Sequence, residues 1–452
     1  RKDMKLMKFN LPTHDYENAT FNRIDKVNWL NNIINDCDSS DYIIKSDDKD
    51  YLYNIKLLLQ EIGYHSLLRD YELEIITNLN SNIDISISVS DIICENKYED
   101  TYCFNEPLKH MGMFNGILTG NCAEIVEYSD NKEYAVCTLA SIALPMFVEN
   151  KVFNFDKLIE VTNVVTRNLN KIIDVTYYPV PETEYSNKKN RPVGVGIQGL
   201  SDVYATMCIA FDSNEARELN KQIFETLYYG AMVASHALAV ETAPYSTFAG
   251  SPISKGQFQF DLWNVKPSDR YDWDTLRANI MRDGVANSLL IALMPTASTS
   301  QILGNNECIE PITSNMYTRR TIAGDFIVIN KYLVRDLMKI GMWNVDMKNT
   351  IIAHSGSVQG INSIPQNIRD LYKTVWEIKQ KVLIDQAIDR GPFVCQTQSM
   401  NLFFEEPTQS MLTSALFHGW KNGLKTGSYY IRTKPKAQAQ QFTIEPCEMC
   451  SA

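Results

Sequence analysis

Cys447-Glu-Met-Cys450 places two thiols three positions apart near the end of a 452-residue chain. Such a pair can close to a disulfide and reopen, or supply half of a tetrahedral zinc site. No second C-x-x-C exists in the sequence, which favours the dithiol. Pro295-Thr296-Ala297-Ser298-Thr299 offers three hydroxyls and a run of backbone N–H groups at what reads as a strand-to-helix junction. A helix terminus of that kind can hold a diphosphate, or its hydroxyls can simply cap the helix. Gly194-Val-Gly196-Ile-Gln-Gly199 matches the dinucleotide fingerprint G-x-G-x-x-G. The fingerprint also wants a preceding buried strand, and Lys189-Lys-Asn-Arg-Pro192 is a poor one, so the dehydrogenase reading is rejected. Asn121-Cys122 joins a side-chain amide to a thiol. Tyr429-Tyr430 sets two phenols side by side, as do Tyr177-Tyr178 and Tyr228-Tyr229, and the default for such a pair is two tyrosines in a strand.

The elements that would position these groups come from two compositions. Residues 1–121 hold 15 Asn and a net charge of −8, against 23 Asn and −3 in all that follows. The first segment mixes element types: an amphipathic helix over Asp50–Tyr64, a half-buried strand over 83–90, and short strands around 101–104 and 114–119. Beyond residue 121 come long helical patterns at 214–240 and 365–390, with apolar runs such as Asn287–Met294 that suit buried strands. That alternation argues an α/β fold. The net charge of −11 excludes generic nucleic-acid binding by bulk charge, and no apolar run is long enough to span a membrane. Ten cysteines are too dilute for a disulfide scaffold, so reduced thiols and a cytoplasmic location are expected. The chain opens on Arg1 rather than Met, which points to a fragment.

The stretch Thr101–Cys122 closely resembles the end of an intein, which closes with a strand carrying His, an apolar strand, Asn, and a Cys, Ser or Thr that opens the downstream extein. His110 stands eleven residues before Asn121. The resemblance implies that the Asn121 amide cyclises onto its own carbonyl and cuts the Asn121–Cys122 bond. The Cys122 thiol would accept the acyl chain, and His110 would assist by proton transfer. Gly120 departs from the pattern, since many inteins carry a second His there. Upstream, Lys26–Ser40 looks like a LAGLIDADG helix of a homing endonuclease. Either Asn35 or Asp36 takes the metal-holding acidic place, and the segment charge of −8 is wrong for gripping DNA, so it reads as a decayed remnant.

From Cys122 onward the sequence resembles the large subunit of class I ribonucleoside-diphosphate reductases. The landmarks are Asn-Cys122-Ala-Glu124-Ile-Val-Glu-Tyr, Ala-Val-Cys137-Thr-Leu-Ala-Ser, Pro295–Thr299 with the following Ser-Gln-Ile-Leu-Gly-Asn-Asn, Gly-Ser-Tyr429-Tyr430-Ile-Arg-Thr, and the terminal Cys447-Glu-Met-Cys450-Ser-Ala. The resemblance implies that Cys122 carries a transient sulfur radical, that Glu124 is the general base for the ribose 3′-hydroxyl, and that Cys137 is one of two reducing thiols. It implies that Pro295–Thr299 holds the substrate diphosphate, Tyr429-Tyr430 relays the radical, and Cys447 with Cys450 re-reduces the active site. Cys208, Cys308 and Cys395 are expected to be buried apolar filler.

The fold implied is the second half of a ten-stranded α/β barrel, preceded by a mixed α+β endonuclease remnant and a mostly-β intein splicing segment. The expected domains are 1–80 (remnant), 81–121 (splicing segment), 122–433 (barrel) and 434–452 (redox tail). No cofactor and no metal are expected on this chain: a di-metal site with a tyrosyl radical would sit in a partner small subunit, and ATP or dNTP effectors would bind upstream of Arg1. The implied partners are that small subunit, a second large subunit, thioredoxin or glutaredoxin, and a nucleoside diphosphate, without membrane or nucleic acid. Two alternatives stand beside this: a self-splicing or homing element as the main activity, and a glycyl-radical reductase. The Cys-Glu-Met-Cys-Ser-Ala ending, with no glycyl-radical loop before it, disfavours the latter.

Overall fold

The computed structural model describes residues 124–434 except 322 and 323, together with 43–45, 47, 52, 56, 65–69, 72–76, 111–114 and 117–120 of the first segment. The chain divides into two compact units, Arg1–Asn121 and Cys122–Ala452. In the first unit, strands β1 (Ile43–Lys45), β2 (His65–Arg69) and β3 (Glu72–Ile76) form an antiparallel sheet with β3 in the middle. Leu52 and Leu73 are fully buried. Strands β4 (Met111–Phe114) and β5 (Ile117–Gly120) pair antiparallel, Phe114 opposite Ile117. The single run expected over 114–119 is therefore two strands, and Asn115-Gly116 between them is a favoured tight-hairpin sequence. The expected helix 26–40 and strands 83–90 and 101–104 lie outside the described residues.

The second unit is built on a parallel ladder. Strand β6 (Leu139–Ala143) pairs in parallel with β9 (Gly194–Gln198), after a small antiparallel pair of β7 (Val148–Glu149) and β8 (Val152–Phe153). Val195 of β9 bridges in parallel to Ile291, and Leu293 to Gln398. Beyond the antiparallel hairpin β10 (Met316–Thr321) and β11 (Gly324–Ile329), strand β12 (Asn401–Phe404) pairs in parallel with β13 (Tyr430–Thr433). Neighbouring segments thus follow chain order, which is what α/β crossover connections produce. Val195, Ile197, Ile291 and Leu293 are fully buried, as expected of a parallel sheet covered on both faces.

Helices α1 (Phe155–Val175) and α2 (Pro181–Asn190) connect β8 to β9, and α3 (Leu200–Met207) and α4 (Asn214–Glu241) follow β9. Asn154 and Ser213 start α1 and α4 by accepting the Lys157 and Ala216 N–H groups at 3.0 and 3.1 Å. The two helices pack against each other, and α4 buries Ile223, Phe224 and Leu227 in the core.

One expectation fails in an instructive way. The pattern 365–390 is not one helix: it splits into Gln366–Leu371 and α5 (Gln380–Arg390). Between them Tyr372 and Val375 are fully buried, Tyr372 Oη donates to Asp336 at 2.6 Å, and Val375 N–H donates to the Ile312 carbonyl at 2.8 Å. Those tertiary contacts override the helical period. The glycine motif, for which the dinucleotide reading was rejected, forms no loop after a strand: Gly194–Gln198 is strand β9 itself, every residue buried. Gly199, at φ 79°, turns the chain into α3.

Candidate active site

Residues 124–138 carry no helix or strand, so their conformation depends on what they are tied to. The tie is the segment 396–399. Thr397 N–H donates to the Glu124 carbonyl at 3.0 Å, and Val126 N–H to Gln396 Oε1 at 3.3 Å. The Ser399 hydroxyl donates to Glu124 Oε2 at 2.5 Å. Glu124 and Ser399 are each 2% exposed, so this charge-assisted bond is shielded from water. The same segment continues into β12, where Asn401 Nδ2 donates to Glu310 and sits in register with Tyr430.

Tyr429 and Tyr430 do lie together, ring centroids 4.2 Å apart and tilted by 58°. Tyr429 N–H donates to the Met400 carbonyl at 2.7 Å, which fixes the pair one residue from Ser399. Tyr430 is buried in β13, and the Arg432 guanidinium lies 5.0 Å from its ring centroid. Beside them Glu307, Glu310, Tyr317 and Arg432 line a polar cavity of about 220 Å³. Burial, reinforced by the Glu307 charge, pushes the Glu310 carboxyl up to about 7.

Cys137 stands two residues before β6 and is exposed. Partial burial of its thiol, then the nearby Glu127 and Glu124 carboxylates, hold its pKa above the usual thiol range. Glu124 is tied through residues 399–400 to the tyrosines.

Pro295–Thr299 sits where expected, where the extended run ending at Met294 passes into the helix Ala297–Leu303. Pro295, Ala297, Ser298 and Thr299 are exposed. Thr296 is not: its hydroxyl turns inward and accepts the Cys308 N–H at 2.7 Å. Two hydroxyls rather than three remain for a ligand. Cys308 is buried as expected and burial pushes its thiol up to about 12. Cys395 is half-buried, its sulfur accepting the Leu290 and Ile291 N–H groups at 3.1 Å each. Cys208 is a correction: it is exposed, capping α3 at φ 60°. His110, Asn121, Cys122, Cys447 and Cys450 lie outside the described residues.

Sequence reasoning missed Ser399, Asn401 and Glu310, which no motif spacing marks. It also missed Arg390, a fully buried guanidinium that donates to Gln398 Oε1 at 2.6 Å and Asn220 Oδ1 at 3.2 Å and whose pKa burial draws down to about 10. Among the described residues no helix is long and apolar enough to cross a membrane, and no three His, Cys, Asp or Glu side chains are grouped to hold a metal.

The chain can be placed among known proteins. The profile described as "Ribonucleotide reductase, barrel domain" matches residues 30–430. The ribonucleoside-diphosphate reductase large subunit of Caenorhabditis elegans is 56% identical over 325 residues, covering 72% of this chain and 41% of that protein. Its namesake in Trypanosoma brucei brucei is 52% identical over 365 residues, covering 78% and 43%. Among solved structures, the class Id ribonucleotide reductase alpha subunit of Actinobacillus ureae is similar at 25% identity and a TM-score of 0.53, over 69% of this chain and 53% of that one. The chain spans about two-fifths of the length of the curated relatives it matches. With a family profile covering most of its residues, and a parallel α/β ladder holding a buried Glu beside paired tyrosines, the chain belongs to the ribonucleotide reductase barrel-domain family.

Proposed function

We propose that the chain supplies the catalytic half of a large subunit that reduces ribonucleoside diphosphates to deoxyribonucleoside diphosphates. The observation that carries this reading is the buried Glu124 carboxylate, gripped by Ser399 and tied through Met400 to the Tyr429-Tyr430 pair. In the proposed reaction a Cys122 sulfur radical takes the 3′-hydrogen of the ribose. Glu124 accepts the 3′-hydroxyl proton, which helps the 2′-hydroxyl leave as water. Cys137 and a second thiol upstream of this chain give two electrons, close to a disulfide, and replace the hydroxyl by hydrogen. The 3′-hydrogen then returns and regenerates the radical. Ser298, Thr299 and the N–H groups opening the helix Ala297–Leu303 would hold the diphosphate, and Cys447 with Cys450 would reopen the disulfide using electrons from thioredoxin or glutaredoxin.

The whole enzyme would need the other half of a ten-stranded barrel, effector sites for ATP or dNTP, a second large subunit, and a small subunit whose di-metal centre and tyrosyl radical feed the Tyr429-Tyr430 relay. The test joins Cys122–Ala452 to the N-terminal part of a relative, adds a small subunit, and measures dCDP. Turnover is expected, with none after Cys122→Ser. Equal turnover in the Cys122→Ser protein would end the assignment.

The first unit carries a second reading, that of an intein's C-terminal segment with an endonuclease remnant. Its support is the division into units between Asn121 and Cys122, with the β4–β5 hairpin placed between His110 and Asn121 in sequence. Cleavage there needs only the Asn, its proton-transfer partner and the local fold. The purified chain is expected to release a fragment beginning at Cys122, seen by mass spectrometry, and Asn121→Ala to abolish it. A folded chain left intact for days would count against autocatalysis.

A further inference from the structure

Lys425 stands shortly before Tyr429, and neither motif reading gives it a task. Its ammonium group donates to three consecutive main-chain oxygens, those of Val394, Cys395 and Gln396, at 3.1, 2.6 and 2.8 Å. An ammonium carries three protons, so donors and acceptors match in number. Among the described residues, none of the three oxygens accepts a main-chain N–H. The Gln396 oxygen matters most. It shares one planar peptide unit with the Thr397 N–H, so a bond that fixes the oxygen also aims the N–H. That N–H is the donor to the Glu124 carbonyl at 3.0 Å. The Gln396 side chain accepts the Val126 N–H at 3.3 Å and donates to the Val193 carbonyl at 3.1 Å. The two runs also keep one register. Lys425 meets Gln396, the Thr426 and Thr397 hydroxyls share a hydrogen bond of 2.6 Å, and Tyr430 pairs with Asn401, an offset of 29 in each case. The backbone ladder of β12 and β13 covers only Asn401–Phe404 and Tyr430–Thr433. Upstream of it, the Lys425 and Thr426 side chains hold the runs in step.

We propose that Lys425 is a positioning residue that holds the general base and the tyrosine relay in one register. This deepens the reductase reading, since it rests on the base role given there to Glu124. Three carbonyl oxygens that converge on one point repel one another, and a cation at that point makes the convergence favourable. Without the ammonium the 394–396 peptides can turn their oxygens to water. The Thr397 N–H then turns with the Gln396 oxygen, and Glu124 loses its main-chain anchor. Ser399, two residues on, shifts against the carboxylate it grips. Lys425 touches neither substrate nor reacting atom; it acts through the segment 394–399.

The first measurement needs no nucleotide reduction. Amide hydrogen exchange of the full chain is followed by mass spectrometry in the wild type and in Lys425→Met. Exchange at the Thr397 and Val126 amides is expected to quicken about tenfold or more, the fold-change of one lost hydrogen bond to a charged group. Lys425→Arg should recover part of the protection, because a guanidinium can still serve some of the three oxygens. Helix α1 is the internal reference and should exchange as before. If the Met chain does not fold, Lys425→Gln, which keeps a neutral donor, carries the same test. Unchanged exchange at Thr397 would overturn the proposal. So would an equal quickening in α1, the mark of general loosening. In the assembled enzyme, Lys425→Met should lower kcat for dCDP formation about tenfold and leave KM for CDP as it was, since Ser298 and Thr299 are untouched. Lys425→Arg should restore part of the rate. A raised KM at unchanged kcat would count against positioning of the base. A chain that never reduced a nucleotide could still show the exchange effect, so failure of the reductase reading and failure of this one stay distinct.

Discussion

Glu124→Gln is expected to lower nucleotide reduction in the assembled enzyme by roughly 10²–10⁴-fold, the usual worth of a positioned general base. The substitution is chosen to leave geometry alone. A glutamine Oε1 can still accept the Ser399 hydroxyl, and the backbone ties to Thr397 and Gln396 do not involve the side chain. What the amide cannot do is take a proton. Ser399→Ala is the complementary change: the base remains, but a buried carboxylate oxygen loses its donor. A charge-assisted bond of this kind contributes about 1.5–3 kcal/mol, so a loss of about tenfold or more in dCDP formation is expected, with Ser399→Thr recovering part of it. Undiminished turnover in the Glu124→Gln protein would take the base role away from Glu124.

Much of the fold was legible because local pattern and tertiary outcome agree. Asn287–Met294 reads as a buried strand and supplies the Ile291 and Leu293 bridges of the parallel ladder. The 214–240 helix forms within one residue of its expected end. Reading failed where a distant partner decides. Tyr372 carries a helical period, yet its bond to Asp336 and the docking of Val375 on Ile312 break the helix. The site divides in the same way. Glu124, Cys137 and the tyrosines could be named because they stand in recognisable runs. Ser399 could not, since 275 positions separate it from Glu124 and only the fold brings them together. Glu310 and Arg390 are harder still, because a buried charge is written in sequence no differently from a solvated one. Thr296 shows the opposite error: a hydroxyl in a credible phosphate motif is spent on the Cys308 backbone.

Gly196→Ala is expected to destabilise the chain by about 3 kcal/mol or more, the upper end of the usual range for overpacking, read from urea unfolding. The glycine motif makes this the most telling stability test, because two explanations of it predict different losses. In β9 the residue faces the extended run after Leu290, and a Cβ there would stand 2.6 Å from the Met294 sulfur and 2.7 Å from the Ala292 carbonyl oxygen. The Met294 side chain can swing away. The Ala292 oxygen belongs to the ladder and cannot move without dragging the strand. Gly194 has the same character, its Cβ meeting the Leu139 side chain and lying 3.0 Å from Ala292 Cβ. Gly304→Ala is the control, with φ 68° and nothing within 4 Å of its Cβ, so it should cost only the left-handed strain of about 1–2 kcal/mol. A glycine kept for a dinucleotide's phosphates would behave otherwise: its replacement would weaken nucleotide binding and leave the ligand-free chain as stable as before. Equal unfolding midpoints for wild type and Gly196→Ala would therefore return the motif to the nucleotide reading. A loss seen without any ligand assigns it to the close approach of two strands.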